Sequence, residues 1–112
     1  TKYYRLNFDA NVAQLDEYHV VMLDTIISSI SNGNKYKVNI EGFTDNSGSV
    51  IKNKFLSLRR AKAVKDYFVN RGLDSTNFLV YGRGSDQPLA SNFTQSGRGI
   101  NRRVEIKLTL ED

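Results

Sequence analysis

Two residues of opposite charge, Asp45 and Arg60, occupy positions where their chemistry needs an explanation beyond folding. Arg60 precedes Val64 by four residues and Phe68 by eight, so on a helix it shares their apolar face. A guanidinium at the edge of a core requires a carboxylate or a ligand to offset its loss of water. Asp45 follows an apolar strand pattern, at the sheet edge where parallel α/β proteins place ligand sites.

An acid and a base that converge on one sheet edge can bind a zwitterion, one group for each charge. Plainer interpretations remain open from the sequence alone. Asp45 also fits a turn within residues 44–48, and Arg60 also fits an internal salt bridge or a side chain that reaches back to water. The two residues can equally pair with each other.

Further polar candidates lie near these two residues in the chain or in the predicted fold. Asn53 lies between Asp45 and Arg60, and the segment Asn101-Arg102-Arg103 precedes the last strand pattern. That segment is also typical of a solvated strand start. The one histidine, His19, lies near the apolar face of a predicted helix, and we interpret it as a neighbour of the core.

Four segments are predicted as strands: Tyr4–Phe8, Tyr36–Ile40, Phe78–Tyr81 and Val104–Leu110. Three of them alternate apolar and polar residues, which is the period of a half-buried strand, whereas Phe78–Tyr81 is apolar throughout. The three alternating strands therefore each have one face for a core and one for water.

Two segments repeat apolar residues every three or four positions and are predicted as amphipathic helices. The first covers about residues 11–31 and ends at Asn32-Gly33-Asn34, with Gly33 as a left-handed cap. The second runs from an N-cap at Ser57 to Asn70, before Gly72. Residues 44–53 and 82–99 are predicted as loops.

The order strand-helix-strand-helix-strand-strand predicts an α/β fold, a two-layer sandwich with a mixed four-stranded sheet and helices on one face. Right-handed crossovers join the parallel strands, and the alternating pattern leaves the other face to water. The 112 residues are fewer than the roughly 150 of a typical domain, so we expect a single domain over residues 1–112. A strand pattern begins close to Thr1 without a secretion signal, and we expect a domain excised from a larger, anchored protein.

The amino-acid composition favours a binding function over catalysis. Sixteen Lys and Arg against twelve Asp and Glu give a net charge of +4, which favours acidic partners. The absence of cysteine and the single histidine exclude disulfides, thiolate metal sites and multi-histidine zinc sites. No nucleophile with a neighbouring base is visible, and Glu41 and Asp45 do not form a glycosidase pair across one cleft. The sequence therefore favours a binding module that uses neither a cofactor nor a metal, and it does not favour an enzyme.

Two ordered sets of residues resemble the signature of OmpA-like peptidoglycan-binding domains. The first set is Ile40-Glu41-Gly42-Phe43-Thr44-Asp45, Gly48, Asn53, Leu56-Ser57 and Arg60-Ala61. The second set is Gly82, Gly84, Pro88, Asn92-Phe93-Thr94, Gly97-Arg98 and Asn101-Arg102-Arg103-Val104-Glu105-Ile106. Two positions depart from the family pattern: Phe43 replaces a common His or Tyr, and Lys52 replaces an aromatic residue that often precedes the Asn.

The resemblance implies non-covalent binding of the diaminopimelate in a peptidoglycan stem peptide, and thereby attachment of an envelope protein to the cell wall. Asp45 would bind the diaminopimelate ammonium group and Arg60 its carboxylate. Thr44, Asn53 and one arginine of the pair Arg102-Arg103 would supply supporting contacts. The implied location is the periplasm of a Gram-negative bacterium, attached to the outer or inner membrane through a segment outside this chain. Alanine at Asp45 or Arg60 is expected to abolish binding to sacculi and leave the fold intact.

Other functions stay open at this level. The domain fits a protein–protein interaction module of an envelope complex, a motor or a secretion system, and a homodimer is a further alternative. A basic segment resembles a nucleic-acid surface but is diluted by Asp45 and Asp66; it comprises Lys52, Lys54, Arg59, Arg60, Lys62 and Lys65. A peptidoglycan-cleaving enzyme ranks last, because neither a metal site nor a carboxylate pair is visible.

Overall fold

The computed structural model describes residues 1–30 and 33–111, which form four strands, three α-helices and one short 3₁₀ turn. The strands are β1 (Lys2–Asn7), β2 (Lys35–Phe43), β3 (Phe78–Gly82) and β4 (Arg103–Glu111). The helices are α1 (Glu17–Ser28), α2 (Val50–Asn70) and α3 (Gln95–Asn101), and the 3₁₀ turn is Ser75–Asn77. All four predicted strands are confirmed.

The strands form one mixed sheet in the order β1-β4-β2-β3. The neighbours β2 and β3 are parallel, with Val38 opposite Phe78, as expected for strands joined by a helical crossover. The last strand, β4, lies antiparallel between β1 and β2. The predicted two-layer α/β architecture with a mixed four-stranded sheet is therefore confirmed.

The core lies between one face of the sheet and the helices α1 and α2. Its central residues have no exposed surface, which removes their apolar area from water. They include Leu6, Leu23, Ile26, Val38, Ile40, Val64, Phe68, Val104 and Leu108. The opposite face carries exposed side chains such as Arg5, Lys37 and Lys107, as the alternating pattern predicts.

Two paired glycines bring α2 unusually close to the sheet. Gly42 and Gly82 lie opposite each other on β2 and β3. A Cβ on Gly42 would lie 1.9 Å from the Ser57 carbonyl oxygen, and one on Gly82 would lie 2.8 Å from the Leu58 backbone nitrogen. Only glycine permits this approach, which fixes the first half of α2 over the end of β2.

The structure corrects the predicted starts of both long helices. The first begins at Glu17 after the N-cap Asp16, because residues 8–16 form an irregular connection. It ends at Ser28, so Gly33, although left-handed with a φ of +86°, lies beyond the helix end; Asn32 is outside the described residues. The second begins at Val50 with Ser49 as N-cap, not at Ser57.

Ser57 has a different task from the predicted one. Its hydroxyl donates to the Lys54 carbonyl at 2.8 Å and accepts from the Gly84 backbone N–H at 2.9 Å. It therefore ties α2 to the chain that follows β3. The predicted loop 82–99 also contains a short helix, α3, at its end.

Within the described part of the chain, no helix combines the length and apolar character needed to cross a bilayer.

Candidate functional site

A small pocket lies at the end of the sheet where β1 and β2 end and β4 begins. Its volume is about 60 Å³. The residues that line it are Ala10, Asn11, Thr44, Asp45, Ser47, Asn53, Leu56, Arg60 and Arg102. Five of the six residues predicted for the site are in this set, and Arg103 is not. Most of the candidate residues therefore lie in one pocket, while their role in ligand binding stays a prediction.

Arg60 is fully buried, and backbone carbonyls hold it in place. Its Nε donates to the Val12 carbonyl at 2.8 Å, Nη1 to Phe43 at 3.1 Å and Nη2 to Asp9 at 2.9 Å. Among the described residues it forms no ion pair, so neither the internal salt bridge nor the water-reaching side chain describes it. The three carbonyls use three of its five N–H donors.

The pKa of Arg60 reflects this environment. Burial and, to a smaller extent, the nearby charge of Arg102 lower the pKa to about 10, and Asp45 opposes the shift. Arg60 therefore remains a cation at neutral pH, although it has lost its water. An anionic ligand in the pocket would relieve that cost.

Asp45 pairs with Arg102 and not with Arg60. One carboxylate oxygen accepts from the Ser47 backbone N–H at 2.9 Å, and the other accepts from Arg102 Nη1 at 3.1 Å. Arg102 is itself fixed by donating from Nε to the Phe8 carbonyl at 2.8 Å. A carboxylate offers about four acceptor positions, so Asp45 retains capacity for a ligand donor.

The pKa of Asp45 is the result of opposing effects. Burial alone would raise it, but hydrogen bonds from Ser47 and the guanidinium of Arg102 outweigh burial and hold it below the ordinary value of 3.8. Asp45 is therefore ionised throughout the neutral range. The pocket presents a fixed negative charge and a fixed positive charge together.

Thr44 and Asn53 complete the polar lining. The Thr44 hydroxyl is the single buried side-chain oxygen or nitrogen of the described residues without a hydrogen-bond partner. Asn53, on the second turn of α2, donates from Nδ2 to the Asp45 carbonyl at 3.4 Å. Since buried polar groups are normally paired, the Thr44 hydroxyl is available for a hydrogen bond to a ligand.

Arg103 lies outside the pocket, and the structure assigns it to the fold. Its guanidinium stacks 3.8 Å from the centre of the Phe43 ring and donates from Nε to Glu105 at 2.6 Å. It also donates to the carbonyls of Asn101 and Gln87. Successive residues near the start of a strand point to opposite faces, so only Arg102 of this pair reaches the pocket.

Asn101 is likewise structural, and it is not a solvated strand start. The side chain is fully buried and accepts from the backbone N–H groups of Leu89 and Ala90. Its amide nitrogen donates to the Ala90 carbonyl and to the Asn92 side chain. Asn101 therefore organises the loop that precedes α3.

The connection between β1 and α1 contributes to the site in a way that the sequence reasoning missed. It supplies the carbonyls of Phe8, Asp9 and Val12 to the two pocket arginines, and Asn11 to the lining. Asn11 has a φ of +60°, which Asn tolerates better than most residues. The turn-forming residues Asp9 and Asn11 were the available signal, but the predicted first helix, over about residues 11–31, includes Asn11 and Val12.

A metal has no prepared site among residues 1–30 and 33–111, where no three His, Asp or Glu side chains come together. What the pocket offers is a pair of opposite charges and a hydroxyl, which is chemistry for binding an ionic ligand.

Comparison with known proteins places the chain in a family. A model of the OmpA family matches residues 7–102, which include every residue of the pocket. The chain belongs to the OmpA family. OmpA-like domains of this kind are non-enzymatic binding modules, and the prediction that the chain is not an enzyme is confirmed.

Relatives of this OmpA-like domain are longer proteins. The chain is 51% identical over 70 residues to the peptidoglycan-binding protein ArfA of Mycobacterium tuberculosis, a match that covers 62% of the chain and 22% of ArfA. It is 35% identical over 106 residues to the outer membrane protein Omp38 of Acinetobacter baumannii, covering 94% of the chain and 30% of Omp38. The OmpA-like domain thus spans less than a third of either relative.

A solved structure has the same fold. The cell wall anchor of the T6SS from Pseudomonas aeruginosa superimposes with a TM-score of 0.81 at 26% identity, over 98% of this OmpA-like domain and 81% of that chain.

Proposed function

We propose that this domain binds peptidoglycan through the free end of diaminopimelate in a stem peptide, and so attaches an envelope protein to the cell wall. The observation that carries the proposal is the small pocket, in which a buried cation, an ionised carboxylate and an unpartnered hydroxyl converge. The free end of diaminopimelate carries an ammonium and a carboxylate on one carbon. A pocket with one fixed charge of each sign is complementary to it.

Arg60 binds the ligand carboxylate. Two of its five N–H donors have no acceptor among the described contacts, and the guanidinium is held rigidly by three carbonyls. A preorganised guanidinium binds a carboxylate at low entropic cost. Thr44 supplies a further hydrogen bond from its unpartnered hydroxyl.

Asp45 binds the ligand ammonium group. The ammonium joins or replaces Arg102, which already pairs with the same carboxylate at 3.1 Å. Because Arg102 already neutralises Asp45, part of the gain from the new ion pair offsets the loss of the old one. Asn53 keeps Asp45 in place through its backbone carbonyl.

The relatives support the wider role. ArfA is described as peptidoglycan-binding, Omp38 is an outer membrane protein, and the structural neighbour is a cell wall anchor. By this analogy the domain functions in the periplasm, with its membrane attachment outside residues 1–112. Each charge-assisted contact contributes about 1.5–3 kcal/mol before association entropy is subtracted. A single stem peptide is therefore expected to bind in the roughly micromolar to millimolar range.

An NMR titration tests the proposal. We expect a diaminopimelate-containing stem peptide to shift the amide signals of Thr44, Asp45 and Arg60, whereas its lysine-containing counterpart, which lacks the second carboxylate, shifts none of them. Asp45→Asn removes the charge at nearly constant shape and should abolish the shifts, and Asp66→Asn, an exposed carboxylate on α2, should not.

Equal shifts with both peptides, or binding retained by Asp45→Asn, would overturn the proposed clamp. The family fold would stand, and the alternative of a protein–protein interaction module in an envelope complex would take its place.

A further inference from the structure

A second and wider cavity opens beside the small pocket, on the solvent side of α2. Its volume is about 350 Å³. The residues that line it are Asn11, Ser47, Gly48, Lys52, Asn53, Phe55, Leu56 and Arg59. Asn11, Ser47, Asn53 and Leu56 line both cavities, so the two are adjacent. A ligand whose end fills the small pocket passes directly into this cavity.

One face of α2 forms the floor of the wider cavity. Lys52, Phe55 and Arg59 follow each other at spacings of three and four residues, which places them in one row along the helix. Over seven residues that row spans about 10 Å. Asn53, Leu56 and Arg60 each lie one residue further along and turn toward the small pocket, so the same two turns of helix serve both cavities.

The charge of the wider cavity is entirely positive. Lys52 and Arg59 line it, no carboxylate lines it, and neither cation is in an ion pair with a described residue. Their neighbour Lys54 differs, since it pairs with Asp86 at 3.2 Å. The adjacent cavity along α2 also differs, because Asp66 lines it together with Arg59 and Lys62.

The positive charge of Lys52 is at an unfavourable position in α2. It lies in the first turn of α2, where the aligned peptide dipoles favour negative charge and disfavour a cation. That turn contains no acidic residue, and Asp66 is the first acid of the whole helix. An anion in the cavity would offset this cost.

Phe55 adds an apolar surface between the two cations. Its side chain is 65% exposed. The methyl or methylene groups of a peptide that lies across the cavity would cover it. The cavity therefore combines two cations with one apolar contact, which suits an acidic peptide.

We propose that the wider cavity is a second anion subsite, in which Lys52 and Arg59 bind a further carboxylate of the same peptide whose diaminopimelate fills the small pocket. This inference rests on the proposed function and adds to it the preference for an acidic stem peptide over an amidated one.

Calorimetric titration of the folded domain tests the subsite with three probes: free diaminopimelate, an acidic diaminopimelate-containing tripeptide, and the same tripeptide with its other carboxylates converted to amides. We expect Lys52→Ala and Arg59→Ala each to weaken the acidic tripeptide about threefold to tenfold. Both variants should bind free diaminopimelate and the amidated tripeptide as the parent protein does. Lys62→Ala, an exposed cation on the same helix, is the matched control and should change none of the three affinities.

Three outcomes would overturn the subsite. In the first, Lys52→Ala weakens the amidated tripeptide as much as the acidic one, or changes neither. In the second, Lys62→Ala has the same effect as Lys52→Ala, which would indicate diffuse attraction to a basic helix. In the third, a short single-stranded DNA binds more tightly than the tripeptide and loses affinity in both variants, which would make this face a nucleic-acid surface.

Failure of the proposed function gives a separate signature. In that case free diaminopimelate itself produces no binding heat and no amide shifts at Thr44 and Asp45 in the parent protein. A failed subsite leaves diaminopimelate binding intact and removes only the difference between the acidic and amidated peptides.

Discussion

At the scale of the residue, Arg60 has two roles, one in stability and one in the proposed ligand binding. They can be distinguished only when unfolding and ligand titration are both measured. Arg60 donates to three carbonyls from two different segments, so it links the connection after β1 and the end of β2 to α2. It also lines the pocket, and two of its N–H donors have no acceptor among the described contacts. Loss of binding in a variant of Arg60 therefore says little unless stability is measured too.

We predict that Arg60→Ala lowers the free energy of unfolding by about 2–4 kcal/mol, roughly one for each lost hydrogen bond. Arg59→Ala, an exposed arginine one position earlier, should stay within about 0.5 kcal/mol of the parent protein. Urea denaturation checks both. This expectation corrects the sequence-based one, in which alanine at Arg60 left the fold intact. A change under about 1 kcal/mol at Arg60 would favour the earlier expectation.

Asp45 carries a prediction about acid. Its pKa in the folded protein is below the ordinary value of 3.8, so its ion pair stabilises the fold fully above the unfolded pKa and is lost as pH falls through the folded one. Asp45→Asn should cost about 1–2 kcal/mol near neutral pH. The gap between the two proteins should close below about pH 4. Urea denaturation across this range measures it, and a gap that does not change with pH contradicts the assignment.

The sequence led to Arg60 because it is charged on the apolar face of a predicted helix, and to Asp45 because it follows the end of a predicted strand. Asn53 was a polar candidate between these two residues, and Thr44 entered with the family resemblance. The sequence did not lead to the partners of Arg60, because backbone carbonyls leave no signature in residue types. It also left the choice between Arg102 and Arg103 open, since the register of β4 decides which one faces the pocket.

At the scale of the element, α2 depends on the glycines beneath it. We predict that Gly42→Ala destabilises the protein by more than about 3 kcal/mol or prevents folding, because its Cβ would overlap the Ser57 carbonyl, 1.9 Å away. Gly48→Ala is the matched control: its φ is +81° but nothing lies within 4 Å, so backbone strain alone should cost about 1 kcal/mol. Thermal unfolding of the two variants distinguishes overlap from strain, and equal losses would contradict the close approach.

The same element shows why helix boundaries were harder to predict than strands. Three of the four strands alternate cleanly, since one of their faces packs on the core. The first two turns of α2 are reversed: Asn53 and Ser57 face inward, while Ile51 and Phe55 are exposed. Residues that build the site occupy the inner positions there, so the amphipathic pattern becomes recognisable only from Ser57 onward. The short α3 contains two glycines and no apolar repeat, and gives no periodic signal.

At the scale of the whole molecule, the proposed attachment to the wall depends more on the number of bound domains than on the affinity of one domain. We predict that two copies joined by a flexible linker bind purified sacculi about 10²- to 10⁴-fold more tightly than one copy, because the second binding event becomes intramolecular. Asp45→Asn in one of the two copies should return the affinity to that of a single domain. Co-sedimentation with sacculi measures all three proteins. A tandem protein that keeps its advantage with one site disabled would show that the gain does not come from the pocket.

The direction of the strands also has a mechanical meaning. The pocket lies where β1 ends and β4 begins, while Lys2 and Glu111 lie at the opposite end of the sheet. A pull between residue 2 and a ligand held in the pocket runs along β1, parallel to its strand axis. The hydrogen bonds to β4 run across that axis, so they resist together as a sheared ladder and do not open one after another. We therefore expect the domain to withstand tension in this direction better than its modest affinity for one peptide suggests, so that the wall contact releases before the fold does.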